Sequence, residues 1–108
     1  MKIVAITACA AGIAHTYMAA EAVKKAAREA GDEIKIEIQG AMGIENRLKQ
    51  SDIDDAELII FAVNISVRDR DRFSDKNPIL IDPGEFISNP NKSLEKAKNS
   101  LLPKHRSL

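Results

Sequence analysis

Cys9 is the only cysteine in the 108-residue chain, and it stands within "ITACAAGIAHTYMAAEA", Ile6 to Ala22, between an apolar run and an alanine-rich one. A thiolate is a nucleophile. Its neighbours Ala10, Ala11, Gly12 and Ala14 are small and leave the backbone open to approach. Successive N–H groups in such a loop can turn inward and form an anion-binding concavity. The first turn of a following helix adds unsatisfied N–H groups and the positive end of its dipole, where a phosphate is held readily. The same field favours thiolate over thiol. One local geometry therefore activates a nucleophile and holds the dianion formed when it is phosphorylated. On this reading Cys9 becomes phosphocysteine, cradled by the N–H groups of Ala10, Ala11, Gly12, Ile13, Ala14, His15 and Thr16. A second reading makes Cys9 a small core hydrophobe, the commonest use of a free cysteine. The pattern leaves both standing, although a core cysteine belongs inside the run Ile3 to Ile6 rather than beyond it.

The elements that must position this loop follow from periodicity. Lys2 to Thr7 is apolar and β-branched, a strand. From about His15 to Ala30 the pattern is helical, with Ala14, Met18, Ala22, Ala26 and Ala30 as the apolar stripe, Val23 beside them, and Gly31 as the stop. Ile34, Ile36 and Ile38 alternate with Lys35, Glu37 and Gln39, a strand with one polar face. Gly40 to Gly43 reads as a loop. Ser51-Asp52-Ile53-Asp54 resembles a capping box opening a short helix. Leu58 to Val63 is apolar throughout, a buried strand. A polar turn around Arg68 to Phe73 precedes a short strand at Pro78 to Ile81. A closing helix runs from about Asn91 to Leu102 and ends at Pro103. Strict βα alternation predicts an α/β fold in three layers, with helices on both faces of a four-stranded parallel sheet. The uniformly apolar strands belong at its centre, which gives the order 2-1-3-4. The chain then reverses direction at the carboxyl end of the first strand. Open α/β sheets bind ligands at such a switch point, and Cys9 lies there.

Composition narrows the function classes. The chain is 44% apolar and 30% charged, and its 16 Lys+Arg balance its 16 Asp+Glu. Zero net charge argues against a nucleic-acid partner. No run of 18 apolar residues exists, so no membrane span is expected. The opening "MKIVAITACAAG" is basic then apolar, somewhat like a signal peptide, but it leads straight into a helical pattern and reads as a strand. A lone cysteine makes no internal disulfide and suits a reducing cytoplasm. One domain over residues 1–108 is expected. No Cys/His cluster with zinc spacing and no G-x-x-x-x-G-K-[ST] loop is present, so neither a metal, nor direct use of ATP, nor any cofactor is expected.

"TACAAGIAHTYMAAEA" resembles the phosphocysteine loop of the fructose-type enzyme IIB components of the bacterial sugar phosphotransferase system, whose usual pattern is T-x-C-P-T-G-I-A-H-T-x-M-A-A-E. "IEIQGAMGIENRL" is similar to that family's E-T-Q-G-x-x-G-x-x-N-x-L, and "SDIDDAELIIFA" followed by "DRF" to its later motifs. The resemblance spans about Lys2 to Ser88. It implies a cytoplasmic carrier that takes a phosphoryl group from a phosphohistidine on enzyme IIA and passes it to a sugar held by membrane enzyme IIC, both expected on separate polypeptides. Cys9 takes the position of the phosphorylated cysteine, and Gly12 to Thr16 take the loop and helix start. Ala10 and Ala11 replace Pro-Thr, which removes a fixed φ and one hydroxyl. Asn64 stands where an aspartate is expected.

Other chemistries fit parts of the same pattern. A hydrolase of the low-molecular-weight tyrosine phosphatase type shares the fold expectation but uses C-x5-R-[ST], whose arginine clamps phosphate bidentately. Here "CAAGIAHT" has histidine in that place, though Asp82-Pro83 is reminiscent of that class's general-acid loop. Thiol redox chemistry needs a resolving cysteine, which is lacking. His15 either serves the site or packs on the helix, and Thr16 either meets phosphate or bonds the backbone. Arg68, Arg70 and Arg72, interleaved with Asp69 and Asp71, read first as a solvated turn and second as a contact for an acidic partner. Met18 is expected to pack on the sheet. Met42 suits either a loop or a docking surface.

Overall fold

The computed structural model describes residues 1–10 and 13–101. The elements are β1 (Lys2–Ala8), α1 (Ile13–Glu29), β2 (Glu33–Gly40), β3 (Gly43–Glu45), α2 (Gln50–Asp55), β4 (Leu58–Val63), a 3-10 turn (Arg70–Phe73), β5 (Ile79–Ile81), α3 (Pro83–Ser88) and α4 (Pro90–Asn99). The sheet order is β3-β2-β1-β4-β5. β1 pairs in parallel with both β2 and β4, and β4 with β5, so the four expected strands lie in the expected order.

A fifth strand corrects the four-stranded, all-parallel expectation. β3 folds back antiparallel on the end of β2, pairing Ile38 with Glu45 and Gly40 with Gly43. The expected loop at Gly40 to Gly43 is the tip of this hairpin, and the three residues of β3 are too few to show a period of two in the sequence. Gly43 sits at φ +125°, a conformation that a side chain would strain, and this lets a two-residue turn at Ala41 and Met42 close the hairpin.

β1 is central because it is apolar on both faces. Ile3 and Ala5 join Leu58, Ile60 and Ala62 against α1, α3 and α4, through Val23, Ala26, Ala27, Phe86, Leu94 and Ala97. Val4 and Ile6 join Ile59 and Phe61 on the opposite face, against Leu48, Ile53, Val67 and Phe73. There the Phe61 and Phe73 rings meet edge-to-face, centroids 5.0 Å apart.

α1 ends as the sequence requires. Gly31 adopts φ +78°; its N–H donates to Arg28 O at 3.1 Å, and Asp32 N–H donates to Ala27 O at 2.9 Å, the paired bonds of a Schellman stop. Its buried stripe differs from the expected one. Thr16, Ala19, Ala20, Val23, Ala26 and Ala27 are buried, while Met18 is 53% exposed. With alanine on several faces of this helix, the alanines carry little directional information, and Val23 orients it.

The cap of α2 lies two residues earlier than Ser51: Asp52 accepts the Lys49 N–H at 3.2 Å. The run after β5 holds two helices rather than one. Asp82 caps α3 by accepting the Gly84 N–H at 2.8 Å, with Pro83 at its first position. α4 starts at Pro90, close to the expected start; Leu102 and Pro103 lie outside the described residues.

Candidate functional site at the carboxyl end of β1

Cys9 follows the last residue of β1 and is half-buried with its thiol free. It is not sealed among the core residues. The flanking strands run parallel to β1, so the ends of β2, β4 and β5 lie along the same edge of the sheet. Ala11 and Gly12 lie outside the described residues, as does the Ile13 side chain. α1 opens at Ile13, four residues after Cys9, with no acidic residue in its first turn. No carboxylate of that first turn competes for the positive end of the 17-residue dipole.

Ala14 is exposed and Thr16 is buried. His15 is partly exposed, yet its Nδ1 is buried and has no hydrogen-bond partner among the described residues. Thr7, two residues before Cys9 and fully buried, has an Oγ1 in the same condition. Strand alternation places Thr7 on the face of β1 that carries Ile3 and Ala5, toward α1.

The Ala10 amide has a different partner from the one the sequence suggests. Its N–H donates to Asn64 Oδ1 at 2.9 Å, and the Asn64 N–H donates to Ala8 O at 3.1 Å. Asn64 thereby extends the β1–β4 pairing by one residue and grips the loop on both sides of Cys9.

The largest departure from expectation lies under the next segment. Glu37 and Gln39, read as the polar face of an edge strand, are buried, Glu37 completely. Arg72, read as part of a solvated turn, reaches across to them. Its Nη1 and Nη2 donate to Glu37 Oε1 and Oε2 at 2.8 and 2.9 Å. Leu48 N–H and Gln39 Nε2 supply two further donors to the same carboxylate at 2.9 and 2.7 Å. Burial pushes the Glu37 carboxyl up, but the bonds from Arg72, Gln39 and Leu48 outweigh it and hold the group below the usual carboxylate range. The same hydrogen bond with Glu37, against the cost of burial, pushes Arg72 further up.

Gln39 also binds both backbone groups of Arg68: its Oε1 accepts the N–H at 2.8 Å and its Nε2 donates to the carbonyl at 3.1 Å. Arg68 and Arg70 themselves stay exposed, Arg70 lying 5.5 Å over the Phe61 ring. Asn46 holds φ +54°, which asparagine tolerates, and Leu48, two residues on, is buried in the core. Met42 is 93% exposed at the hairpin tip. The signal for the buried network was the spacing of Glu37, Gln39 and Leu48 together with "DRF"; alternation alone concealed it.

Comparison with known proteins agrees with this architecture. The family model for the "PTS system, Lactose/Cellobiose specific IIB subunit" matches residues 4–96. The "PTS system fructose-like EIIB component 2" of Escherichia coli K12 is 37% identical over 100 residues, covering 93% of this chain and 94% of that protein. The "PTS system fructose-specific EIIABC component" of Bacillus subtilis is 43% identical over 102 residues, covering 94% of this chain and 16% of that much longer protein. The solution structure of an enzyme IIB subunit of the PTS system from E. coli K12 superposes with a TM-score of 0.86 at 39% identity, covering 96% of each chain. On the strength of the matched length, the shared fold and these identities, the chain belongs to the enzyme IIB family of the sugar phosphotransferase system, among its fructose-like components.

Proposed function

We propose that Cys9 is the phosphoryl-carrying residue of this enzyme IIB, in a single unit spanning residues 1–108. The thiolate attacks the phosphorus of a phosphohistidine on enzyme IIA in line, forming an S–P bond as the N–P bond breaks. The imidazole leaves. A hydroxyl of a sugar held by membrane enzyme IIC then attacks the same phosphorus, and the S–P bond breaks to restore the thiolate. The hydroxyl proton passes to a base on the sugar-binding partner. Charge on the equatorial oxygens is met by backbone N–H groups from Ala11 to His15 and by the positive end of the α1 dipole. The Ala10 amide shapes the loop through Asn64 and does not join the cradle.

The observation that carries this reading is the placement of Cys9: half-exposed, at the switch point of the sheet, four residues before a helix whose first turn carries no acidic residue. A nucleophile that must meet phosphohistidine on one protein and a sugar on another needs an open rim. The groove of about 380 Å³ between α1 and β2, lined by Lys24, Arg28 and Lys35, does not include Cys9. No helix among the described residues is long and apolar enough to cross a membrane, so the sugar-binding step is assigned to enzyme IIC, at the inner face of the membrane. The printed name of the B. subtilis relative joins A, B and C components in one protein, which supports IIA and IIC as the partners.

The hydrolase reading has less support. Asp82 spends its carboxylate on capping α3, and Ala8 to Thr16 offers no guanidinium clamp. The test is incubation with purified phospho-enzyme IIA and, separately, with an aryl phosphate. Transfer to the chain without turnover of the aryl phosphate is expected. Sustained release of inorganic phosphate from the aryl ester overturns the carrier assignment.

A further inference from the structure

We infer that Gln39, together with the Glu37–Arg72 pair, positions the Cys9 loop by anchoring the segment after β4 whose first residue, Asn64, holds the Ala10 amide. The inference deepens the proposed function, but its main readout does not depend on it.

The segment from Asn64 to Arg68 is a short bridge pinned at both ends. At its start, Asn64 continues the β1–β4 pairing through its N–H and reaches Ala10 through its side chain. At its end, Arg68 has both backbone groups bound by Gln39, and its carbonyl also accepts from Arg72 Nη2 at the longer distance of 3.4 Å. A carboxamide presents a donor and an acceptor side by side, as a peptide does, so Gln39 substitutes for the neighbouring strand that this segment lacks. Glutamate in its place accepts but does not donate, and it sets a second carboxylate against Glu37.

Gln39 in turn is not free to move. Its Nε2 donates to Glu37 Oε2, and Glu37 takes four donors in all, from Arg72 twice, Leu48 and Gln39. Arg72 is tied further, its Nε donating to Asp69 O at 3.0 Å and its Nη1 to Leu48 O at 3.3 Å. A buried network with every member satisfied is rigid, and removing one member leaves buried polar groups unpaired. Between the two anchors Val67 is buried and Ile65 is partly exposed, so the bridge has one apolar contact with the core and no regular pairing of its own. Slack at Arg68 is therefore felt at Asn64, and through it at Ala10, next to Cys9.

The test is amide hydrogen exchange at Ala10, followed by NMR, in wild type, Gln39→Ala and a control, Phe86→Leu, which loosens the core on the other face of the sheet. Exchange is read where all three remain folded. Protection at Ala10 is expected to fall by at least about tenfold in Gln39→Ala and to stay within about twofold of wild type in the control. Unchanged protection in Gln39→Ala, or an equal fall in Phe86→Leu, overturns the inference. If Gln39→Ala does not fold, Arg72→Lys, which keeps the charge and loses the bidentate fork, is read by the same criteria. Phosphoryl transfer from phospho-enzyme IIA is measured in parallel, with a fall of roughly tenfold expected in Gln39→Ala. Failure of wild type to accept a phosphoryl group counts against the proposed function alone, because the exchange result still decides whether Gln39 positions the loop.

Discussion

The Ala10 N–H donates to Asn64 Oδ1 at 2.9 Å, one residue beyond the cysteine. The usual pattern of fructose-type IIB loops has proline at this position, and proline has no N–H to give. Here the loop is held by the hydrogen bond that its own N–H donates to Asn64, just past β4, rather than by a ring that fixes φ. The alanine and the asparagine, each a departure from pattern when considered alone, are two halves of one contact.

That relationship predicts a non-additive pair. Asn64→Ala is expected to lower unfolding free energy by about 1 kcal/mol, the worth of one such bond. In an Ala10→Pro background, where the donor is already gone, the same change is expected to cost close to nothing. A double-mutant cycle by urea denaturation measures the coupling. Equal costs in the two backgrounds contradict the contact. Asn64→Asp keeps an acceptor and is expected to retain protection of the Ala10 amide.

Glu37 makes stability depend on acidity. Its folded-state pKa is depressed, so its contribution is complete above the unfolded value of about 4.3 and disappears as pH falls through the lower folded value. Glu37→Gln leaves Arg72 without its counter-charge and is expected to cost about 2–4 kcal/mol at neutral pH, somewhat below a fully buried pair because Arg72 keeps some access to water. The gap between wild type and variant is expected to be constant from pH 7 to about 5 and to shrink below about 4. Asp32, Asp52 and Asp54 are also depressed but are common to both proteins, so they cancel in the difference. A gap independent of pH contradicts the buried ion pair.

Asp82 separates the carrier from the hydrolase by a single substitution. As the cap of α3 it is expected to cost about 1 kcal/mol when changed to alanine, with phosphoryl transfer unaltered. Loss of transfer with stability intact shows the carboxylate acting in the chemistry instead.

The Phe61–Phe73 contact joins β4 to the 3-10 turn that carries Arg72. Phe73→Ala is expected to cost about 3–5 kcal/mol. Phe73→Leu, which keeps most of the volume, is expected to cost about 1–2 kcal/mol. Thermal unfolding of the pair distinguishes packing from a mere surface turn.

Much of the fold was legible because its elements are driven by apolar runs. Ile3 to Ile6 and Leu58 to Val63 are uniformly apolar and took central places; Gly31 stopped α1 where expected. The legible part of the site was the residue type and position of Cys9, at a strand end before a helix. The illegible parts were tertiary. Nothing in the alternation of Lys35, Glu37 and Gln39 tells a solvated face from one roofed by a distant turn, and the partner that decides it, Arg72, is 35 residues away. The alanine-rich α1 misled in the same way: Met18 looked like core, yet Val23 and the sheet turned it outward. Asn64 could be seen as an oddity in sequence, but its use required knowing that β4 lies beside β1.

Residence of the phosphoryl group on Cys9 can be measured directly. After incubation with phospho-enzyme IIA, the peptide containing Cys9 is isolated and weighed by mass spectrometry, from wild type and from Cys9→Ser. One added phosphoryl group is expected on that peptide in wild type, prevented by prior alkylation of the thiol, and none anywhere in Cys9→Ser. A phosphoryl group carried by His15 or any other residue in Cys9→Ser contradicts it.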